Sequence, residues 1–293
     1  MQLHLLDATY ELFRSHFGRP PHADPAGQPV GATVGLIEST LSLFRQDGVT
    51  HIGCASDHVI RSWRNERYPG YKTDAGMPPE LLAQFPLAEE ALRAIGVVVW
   101  PMVEFEADDA LGAAANRWAD DPRVERVVVL SPDKDMTQLV RPDGRVVCYD
   151  RRKRLFLDAA AVEEKFGVTP ESIPDYLALV GDSSDGYPGL PGWGARSAAA
   201  VLSRYPHLEE IPASIRGWDL SVRGGAALAQ VLRERWDEAL LYRELATLRM
   251  DAPIPQQQPD ELEWGGVPRE PFTTMVERLG ADQLMDRVPR WAA

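Results

Sequence analysis

The 293-residue chain has only two cysteines, no long apolar run and no excess of basic residues. Cys54 and Cys148 each lie within an apolar run, which argues against a disulfide framework and against a cysteine-based zinc site. We therefore expect two buried free thiols. The histidines lack the paired spacing of zinc sites, so a bound metal should have oxygen ligands.

The longest apolar stretches fall well short of the roughly 20 residues that span a bilayer, and the start of the chain is too short for a signal peptide. These absences predict a cytoplasmic protein. The net charge of −13 argues against a simple basic nucleic-acid binder. However, nine of the acidic residues belong to the groups described below, where bound cations would reverse the local field.

Apolar runs alternate with helical patterns in the first half of the chain. The runs lie at residues 3–6, 49–55, 97–100, 127–130 and 146–149, and the helical patterns at 35–45, 79–95 and 108–118. This alternation predicts a parallel α/β sheet. After residue 154 the pattern becomes helical, with a helix, glycine-rich turn and helix over 177–204 and a further helix over 236–248. Residues 253–259, rich in Gln and Pro, are predicted to form an exposed connector.

Acidic residues follow the ends of successive predicted strands, where ligands bind in parallel sheets. They are Asp7, Asp57, Glu106, Asp108, Asp109, Asp133 and Asp135. Grouped carboxylates repel one another unless they are neutralised, and two divalent cations would also stabilise an in-line phosphoryl displacement. We expect Mg²⁺ or Mn²⁺. Each residue alone also fits a helix cap or a polar turn, so the metal site depends on their joint occurrence.

Two further segments carry features of phosphate binding. In residues 181–197, Gly192 and Gly194 precede a predicted helix, so their amides can approach a phosphate beside Arg196 and Ser197. A plain helix-turn-helix corner is the alternative. In residues 61–72, cations alternate with aromatic residues, which suits phosphate contacts and stacking of Tyr68 or Tyr71 on an unpaired base. A solvated basic loop is the alternative there.

In this order, the three groups resemble the 5′ nuclease family, which includes flap endonucleases, stand-alone bacterial 5′-3′ exonucleases and the N-terminal exonuclease domain of bacterial DNA polymerase I. The resemblance covers roughly residues 3–248. Its motifs are Leu-Leu-Asp at 5–7, Arg-Tyr-Pro-Gly-Tyr-Lys at 67–72, Phe-Glu-Ala-Asp-Asp at 105–109, Ser-Pro-Asp-Lys-Asp at 131–135 and Gly-Asp-Ser-Ser-Asp-Gly at 181–186.

The resemblance implies a PIN-like catalytic domain over residues 1–168 with a helical arch around 71–95. A helix-three-turn-helix DNA-binding domain over 169–255 and a C-terminal extension over 256–293 would follow. Because nothing follows residue 293, we expect a stand-alone enzyme without a polymerase domain.

The resemblance also implies the roles of the site residues. One metal would be held by Asp7, Asp57, Glu106 and Asp108, and the second by Asp108, Asp133, Asp135 and Asp185, with Asp109 and Asp182 assisting. Lys72 and Arg64 would contact the scissile phosphate, and Arg14 would face the substrate. The DNA-binding turn would use Gly189, Gly192, Gly194, Arg196 and Ser197, and would bind K⁺.

Some positions depart from the family pattern. Asp7-Ala8-Thr9 replaces Asp-Gly-Ser, and Thr73, Asp74 and Ala75 follow Lys72 where the family has a small residue, Asn and Arg. Arg196 and Ser197 replace a lysine and a threonine, which keeps the charge and the hydroxyl. No metal-ligand position is lost, so the resemblance implies an active enzyme.

The expected function is a structure-specific 5′ nuclease of DNA replication and repair. Its substrates would be DNA with a 5′ end, flap or nick, and RNA-DNA primers, and it would be a monomer associated with the nucleoid when bound to DNA. Two alternatives remain at this point. One is a PIN-class ribonuclease, and the other is a non-catalytic protein that binds particular DNA structures.

Overall fold

The computed structural model describes residues 1–46 and 48–293, which divide into two units. The first unit comprises Met1–Ser62, Asp74–Ser131 and Met250–Ala293. The second comprises Trp63–Thr73 and Pro132–Arg249. Both units are therefore assembled from segments that are separated in the sequence.

The secondary structure combines strands and helices in the order expected for an α/β chain followed by helices. The strands are β1 (Gln2–Asp7), β2 (His51–Asp57), β3 (Val98–Met102), β4 (Arg126–Leu130), β5 (Val146–Asp150) and β6 (Leu155–Leu157). The helices are α1 (Ala8–Gly18), α2 (Gly31–Gln46), α3 (Trp63–Arg67), α4 (Pro79–Leu82), α5 (Gln84–Ala94), α6 (Ala107–Trp118), α7 (Ala159–Phe166), α8 (Ile173–Val180), α9 (Ala195–Leu202), α10 (Gly225–Glu234), α11 (Trp236–Ala246) and α12 (Arg269–Leu279).

A parallel sheet forms the centre of the first unit, with its strands in the order β3-β2-β1-β4. Leu5 pairs with Gly53 on one side and with Val129 on the other. Leu3, Leu5 and Leu6 are all fully buried, because helices cover both faces of the sheet. These four strands confirm the first four predicted from the sequence.

Helix α5 belongs to the core of the first unit. Phe85, Ala88 and Leu92 lie on its buried face, and the helix packs against α2 and β3. The predicted arch at 71–95 therefore differs from the structure over residues 84–94, which form a core helix. For the remainder of that range the arch stays a prediction.

Residues 253–259 include four exposed positions, as expected for a connector, but the segment is also anchored to the rest of the first unit. Arg117 Nη1 donates to the carbonyls of Ile254 and Gln256, at 2.9 and 2.7 Å. Ile254 is buried, and Trp100 Nε1 donates to Gln256 Oε1 at 2.8 Å. Because these contacts come from distant residues, the local Gln and Pro content could not reveal them.

The second unit contains a hairpin and a group of helices. Strand β5 matches the fifth predicted strand, but it pairs with β6 in an antiparallel arrangement that the sequence did not indicate. The predicted helix-turn-helix is formed by α8 and α9, and α11 packs on α8.

Both cysteines are free and buried as expected, and burial raises the pKa of the Cys148 thiol to about 12. Among the described residues, no helix is both long and apolar enough to cross a bilayer.

The close approach of β2 to Trp100 gives a first prediction. A Cβ atom at Gly53 would lie 2.3 Å from Trp100 Cη2, so Gly53→Ala should destabilise the first unit by about 1–3 kcal/mol through overpacking. Thermal unfolding should show a lowered Tm. The control is Gly18→Ala, whose Cβ would meet nothing within 4 Å. Equal Tm values for the two variants would contradict this account of the packing.

Candidate active site

Asp7 lies at the end of β1 and uses its two carboxylate oxygens differently. Oδ1 accepts from the backbone N–H of Tyr10 at 2.8 Å and so caps α1. Oδ2 accepts from the Ser131 hydroxyl at 3.0 Å. Asp7 is buried, so these donors fix its orientation at the edge of the sheet. The role of Asp7 as a helix cap is therefore compatible with its predicted role as a metal ligand.

Asp57 occupies the corresponding position at the end of β2. Its backbone N–H donates to Thr9 Oγ1 at 2.8 Å, and its Oδ1 accepts from the N–H of Ala107 at 2.7 Å. Asp7 pairs with Ala55 and Asp57 with Met102, so both strands deliver their carboxylates to the same edge of the sheet.

The start of α6 supplies three more acidic residues at the end of β3. Glu106 is buried and accepts from the Ser62 hydroxyl at 2.6 Å. Asp109 is fully buried, and its Oδ2 accepts from the backbone N–H of Glu106 at 3.1 Å, which gives it a capping role. Asp108 is half-buried. The first unit thus gathers five predicted site carboxylates on neighbouring segments.

The second unit has its own acidic group around Asp133 and Asp135. One carboxylate oxygen from each lies within 4.8 Å of the other. Asp135 Oδ1 is buried and has no hydrogen-bond partner among the described residues. Burial, followed by repulsion from Asp133 and Asp185, raises the pKa of Asp135 well above its usual value, although Lys72 and Arg64 oppose the shift.

Two lysines lie against the remaining acidic residues of this unit. Lys72 Nζ is 2.9 Å from Asp185 Oδ1, and the Lys72 N–H donates to the Asp185 carbonyl at 2.9 Å. Lys134 Nζ is 2.6 Å from the buried Asp182. The motif at 67–72 therefore meets the motif at 181–186 directly, which places Lys72 beside a predicted ligand.

Arg64 does not occupy the exposed position expected for a phosphate contact. It is fully buried, and its Nε and Nη2 donate to the carbonyls of Leu245 and Thr247, at 2.8 and 3.2 Å. These carbonyls lie at the C-terminal end of α11, where a cation is favoured by the helix dipole. In this conformation Arg64 is an internal cation that acts to lower the pKa of Asp135, and its contact with the scissile phosphate stays a prediction.

The two tyrosines that are predicted to stack on a base have different environments. Tyr71 is buried, so its ring cannot stack on a base in this conformation. Tyr68 is half-buried and packs edge-on against Tyr242 with ring centroids 5.9 Å apart. Arg14, on α1 of the first unit, remains partly exposed while it bonds to Glu11 and Ser39.

The glycine-rich turn depends on a close backbone approach at its start. Gly181 and Gly189 have φ of +80° and +69°, and a Cβ at Gly189 would lie 2.3 Å from the Gly181 backbone nitrogen. Gly189 is buried. Gly189 therefore has a structural role, since it lets the chain turn tightly after α8, and its contact with DNA stays a prediction.

The end of the turn leads into α9 and is more open. Gly192 and Arg196 are exposed, and Ser197 is half-buried. The Gly194 N–H donates to Ser197 Oγ at 3.0 Å, so this amide is already engaged. The first amides of a helix have no partner within the helix, so the α9 N-terminus keeps the phosphate-binding capacity that the sequence predicted.

Several residues around the carboxylates were not singled out by sequence reasoning. Thr9, Ser62 and Ser131 make hydrogen bonds to acidic site residues or to their backbone. Tyr187 has a buried hydroxyl whose pKa is raised by burial and by the nearby aspartates. The position of Ser131 directly after β4 could have indicated that it lies near the site. The burial of Tyr187 depends on tertiary packing, so no local pattern could indicate it.

The donor set fits a divalent cation. The predicted ligands supply oxygen atoms only, as Mg²⁺ and Mn²⁺ prefer. Burying Asp135 Oδ1 without a partner in the described part of the chain is unfavourable, and a bound cation would compensate for the missing hydrogen bond. The observations within each unit therefore agree with metal binding.

Comparison with protein families gives two adjacent matches. Residues 2–167 match the model of the 5′-3′ exonuclease N-terminal resolvase-like domain. Residues 168–270 match the model of the 5′-3′ exonuclease C-terminal SAM fold. Together the matches account for most of the chain.

Curated relatives include DNA polymerase I of Bacillus caldotenax, at 33% identity, and DNA polymerase I of Pseudomonas aeruginosa, at 32% identity. Each alignment covers 98% of this chain, but only 32% and 31% of the respective polymerase. The chain thus spans about a third of the length of these relatives.

Solved structures share the fold across nearly the whole chain. The T5 5′-exonuclease with bound divalent zinc ions has a TM-score of 0.68 at 17% identity, covering 98% of this chain and 99% of that one. The catalytic core of Rad2 in complex with DNA substrate has a TM-score of 0.61 at 14% identity, covering 97% and 91%. These likenesses confirm the expected mixed α/β fold with a C-terminal helical domain.

The raised pKa of Asp135 predicts how the metal-free protein responds to pH. The pKa is higher in the folded than in the unfolded protein, so the ionised carboxylate disfavours folding above the raised pKa. Asp135→Asn should therefore raise the Tm in EDTA at neutral pH, and this gain should shrink as pH falls through the raised pKa. The control is Asp143→Asn. Contacts with Arg145 and Arg141 lower the pKa of Asp143, so replacing this aspartate should not raise the Tm. A pH-independent gain at Asp135 would contradict the prediction.

Proposed function

This chain belongs to the 5′-3′ exonuclease family and is therefore a nuclease, and we propose that its substrate is DNA with a 5′ end, a flap or a nick. The observation that carries the proposal is the buried Asp135 Oδ1, which has no partner among the described residues, within a group of carboxylates that repel one another. Such a group has little use in a protein that only binds DNA, because it repels phosphates until cations enter.

We assign the metal ligands as the family pattern implies. Asp7, Asp57, Glu106 and Asp108 hold one ion, and Asp108, Asp133, Asp135 and Asp185 hold the second, with Asp109 and Asp182 in support. Mg²⁺ or Mn²⁺ suits these oxygen ligands. When bound, such ions lower the pKa of a water nucleophile and neutralise charge that develops on the phosphate.

The chain's own residues prepare this chemistry by orienting the ligands. Ser131 holds Asp7, and Ala107 holds Asp57, through hydrogen bonds that leave less rotational freedom to each carboxylate. Lys72, partly exposed beside Asp185, contacts the scissile phosphate and stabilises its developing charge. Arg64 contributes from the interior by favouring the ionised form of Asp135.

Duplex DNA is held by the start of α9. Gly192, Arg196 and the first amides of the helix contact the phosphate backbone without reading sequence. A K⁺ ion at this turn would screen the phosphate charge. This grip on a duplex favours a DNA enzyme over a ribonuclease that acts on single strands, which was the main alternative.

RNA-DNA primers carry the same phosphodiester link and are included among the substrates. The enzyme acts as a monomer at the nucleoid, with a catalytic domain at 1–168, a DNA-binding domain at 169–255 and an extension at 256–293. The part of the arch range outside α5 guides the 5′ strand.

The central test is a cleavage assay with end-labelled flap, nicked and single-stranded DNA in the presence and absence of Mg²⁺. Asp135→Asn should remove most hydrolysis while leaving DNA affinity largely unchanged, because it weakens a metal site without altering the α9 contacts. The exposed Asp143→Asn should cleave like the wild type. Full activity of Asp135→Asn would overturn the assignment.

The α9 contact is tested by the salt dependence of binding. Arg196→Ala should weaken binding to duplex DNA and lower the slope of log K against log salt by about one, as expected for one lost phosphate contact. The matched control is Arg278→Ala, which removes the same charge from the first unit. An unchanged slope for Arg196→Ala would contradict the phosphate role.

A further inference from the structure

Glu89 places a carboxylate on the buried face of α5, where an apolar residue is expected. Phe85, Ala88 and Leu92 occupy the same face at helical spacing, and Glu89 itself is 4% exposed. Burying a carboxylate is unfavourable unless hydrogen bonds compensate for lost water. Glu89 therefore needs hydrogen-bond donors within the fold.

The Glu89 carboxylate bonds to the two residues that flank Asp57. Ser56 Oγ donates to Glu89 Oε1 at 2.9 Å. His58 Nδ1 lies 3.1 Å from Oε1 and 3.2 Å from Oε2, within hydrogen-bond distance for the ring to donate to a carboxylate oxygen. A more distant contact comes from Arg93 Nη2, 3.9 Å from Oε2. One side chain on a helix thus holds the residues before and after Asp57.

The positions of Ser56 and His58 on either side of Asp57 influence the direction of the Asp57 side chain. Successive side chains point to opposite faces, so Ser56 and His58 share one face while Asp57 points to the other. The backbone of His58 is still held by β3, since the His58 N–H donates to the Met102 carbonyl at 2.8 Å. Fixing both neighbours from one face limits rotation of the chain about its own axis, and this rotation sets the direction of the Asp57 carboxylate.

On the opposite face, Asp57 is held by different contacts. Its Oδ1 accepts from the N–H of Ala107, and its backbone N–H donates to Thr9 Oγ1. These contacts hold one carboxylate oxygen and the backbone, and the Glu89 contacts restrain the chain from the other side. The strand end is therefore held from both faces of the sheet.

We propose that Glu89 is a positioning residue for Asp57, acting through Ser56 and His58. The inference rests on the proposed role of Asp57 as a metal ligand. Glu89 itself contacts neither DNA nor the metal. It acts by keeping the carboxylate of Asp57 in the orientation that a divalent cation requires.

The test measures the apparent Kd for Mn²⁺ by electron paramagnetic resonance of the free ion, without DNA and without turnover. Glu89→Ala should weaken Mn²⁺ binding about tenfold, the usual scale for residues behind a metal ligand. Glu89→Gln keeps a side-chain oxygen in the place of Oε1, which faces both the Ser56 hydroxyl and His58 Nδ1, and so should retain most of the affinity. If Glu89→Gln loses as much as Glu89→Ala, hydrogen-bond positioning is refuted.

Glu90→Ala is the matched control, because Glu90 is the next residue of α5 but is exposed and pairs with Arg278. It should bind Mn²⁺ like the wild type. In cleavage assays, Glu89→Ala should raise the metal concentration that gives half-maximal rate, while KM for DNA at saturating metal stays unchanged. A purely structural loss would instead lower the amount of folded protein without moving either value.

Ser56→Ala provides a second variant with a smaller change to the fold, since it removes only a hydroxyl group. It should weaken Mn²⁺ binding in the same direction, and combining it with Glu89→Ala should add less than the sum of both effects. Asp57→Ala separates the two hypotheses. Unchanged Mn²⁺ binding in Asp57→Ala would overturn the ligand assignment, whereas loss there with no effect of Glu89→Ala or Ser56→Ala would overturn only the inference on Glu89.

Discussion

Repulsion between carboxylates that share a partly buried region is the constraint on which this structure depends. Ordinary cores avoid ionised groups, yet here Asp7, Asp57 and Glu106 are all buried. The fold meets this cost by giving each carboxylate specific donors and by fixing it on a strand end or a helix start. Buried carboxylates held together in this way are poorly stabilised by the protein alone, and divalent cations are well suited to neutralise them.

The supporting residues show how the scaffold keeps these groups in place. Ser131 and Ser62 each donate a hydroxyl to one acidic residue, and the start of α6 donates a backbone amide to Asp57. Arg64 serves the second unit from inside, where the carbonyls at the end of α11 fix its guanidinium. Most of these contacts link segments that are far apart in the sequence, so the site depends on the whole packing of each unit.

The sequence predicted the parts of the fold that follow from local pattern. Four parallel strands and the acidic residues after them could be recognised, because strand ends in parallel sheets share one edge. It failed where burial depends on tertiary contacts. Arg64 and Tyr71 look like exposed binding residues in a basic segment, yet both are buried. Strand β6 was missed because it has three residues and two of them are exposed.

The first unit is discontinuous, since Met250–Ala293 completes a unit that begins at Met1. Trp264 from this last segment stacks on Phe44 and donates from Nε1 to the Ile95 carbonyl. A ribosome releases the amino-terminal strands long before this tryptophan emerges. Part of the apolar surface of the nascent first unit therefore stays uncovered until residue 264 has left the ribosome, and during that interval the exposed surface makes the chain prone to aggregation.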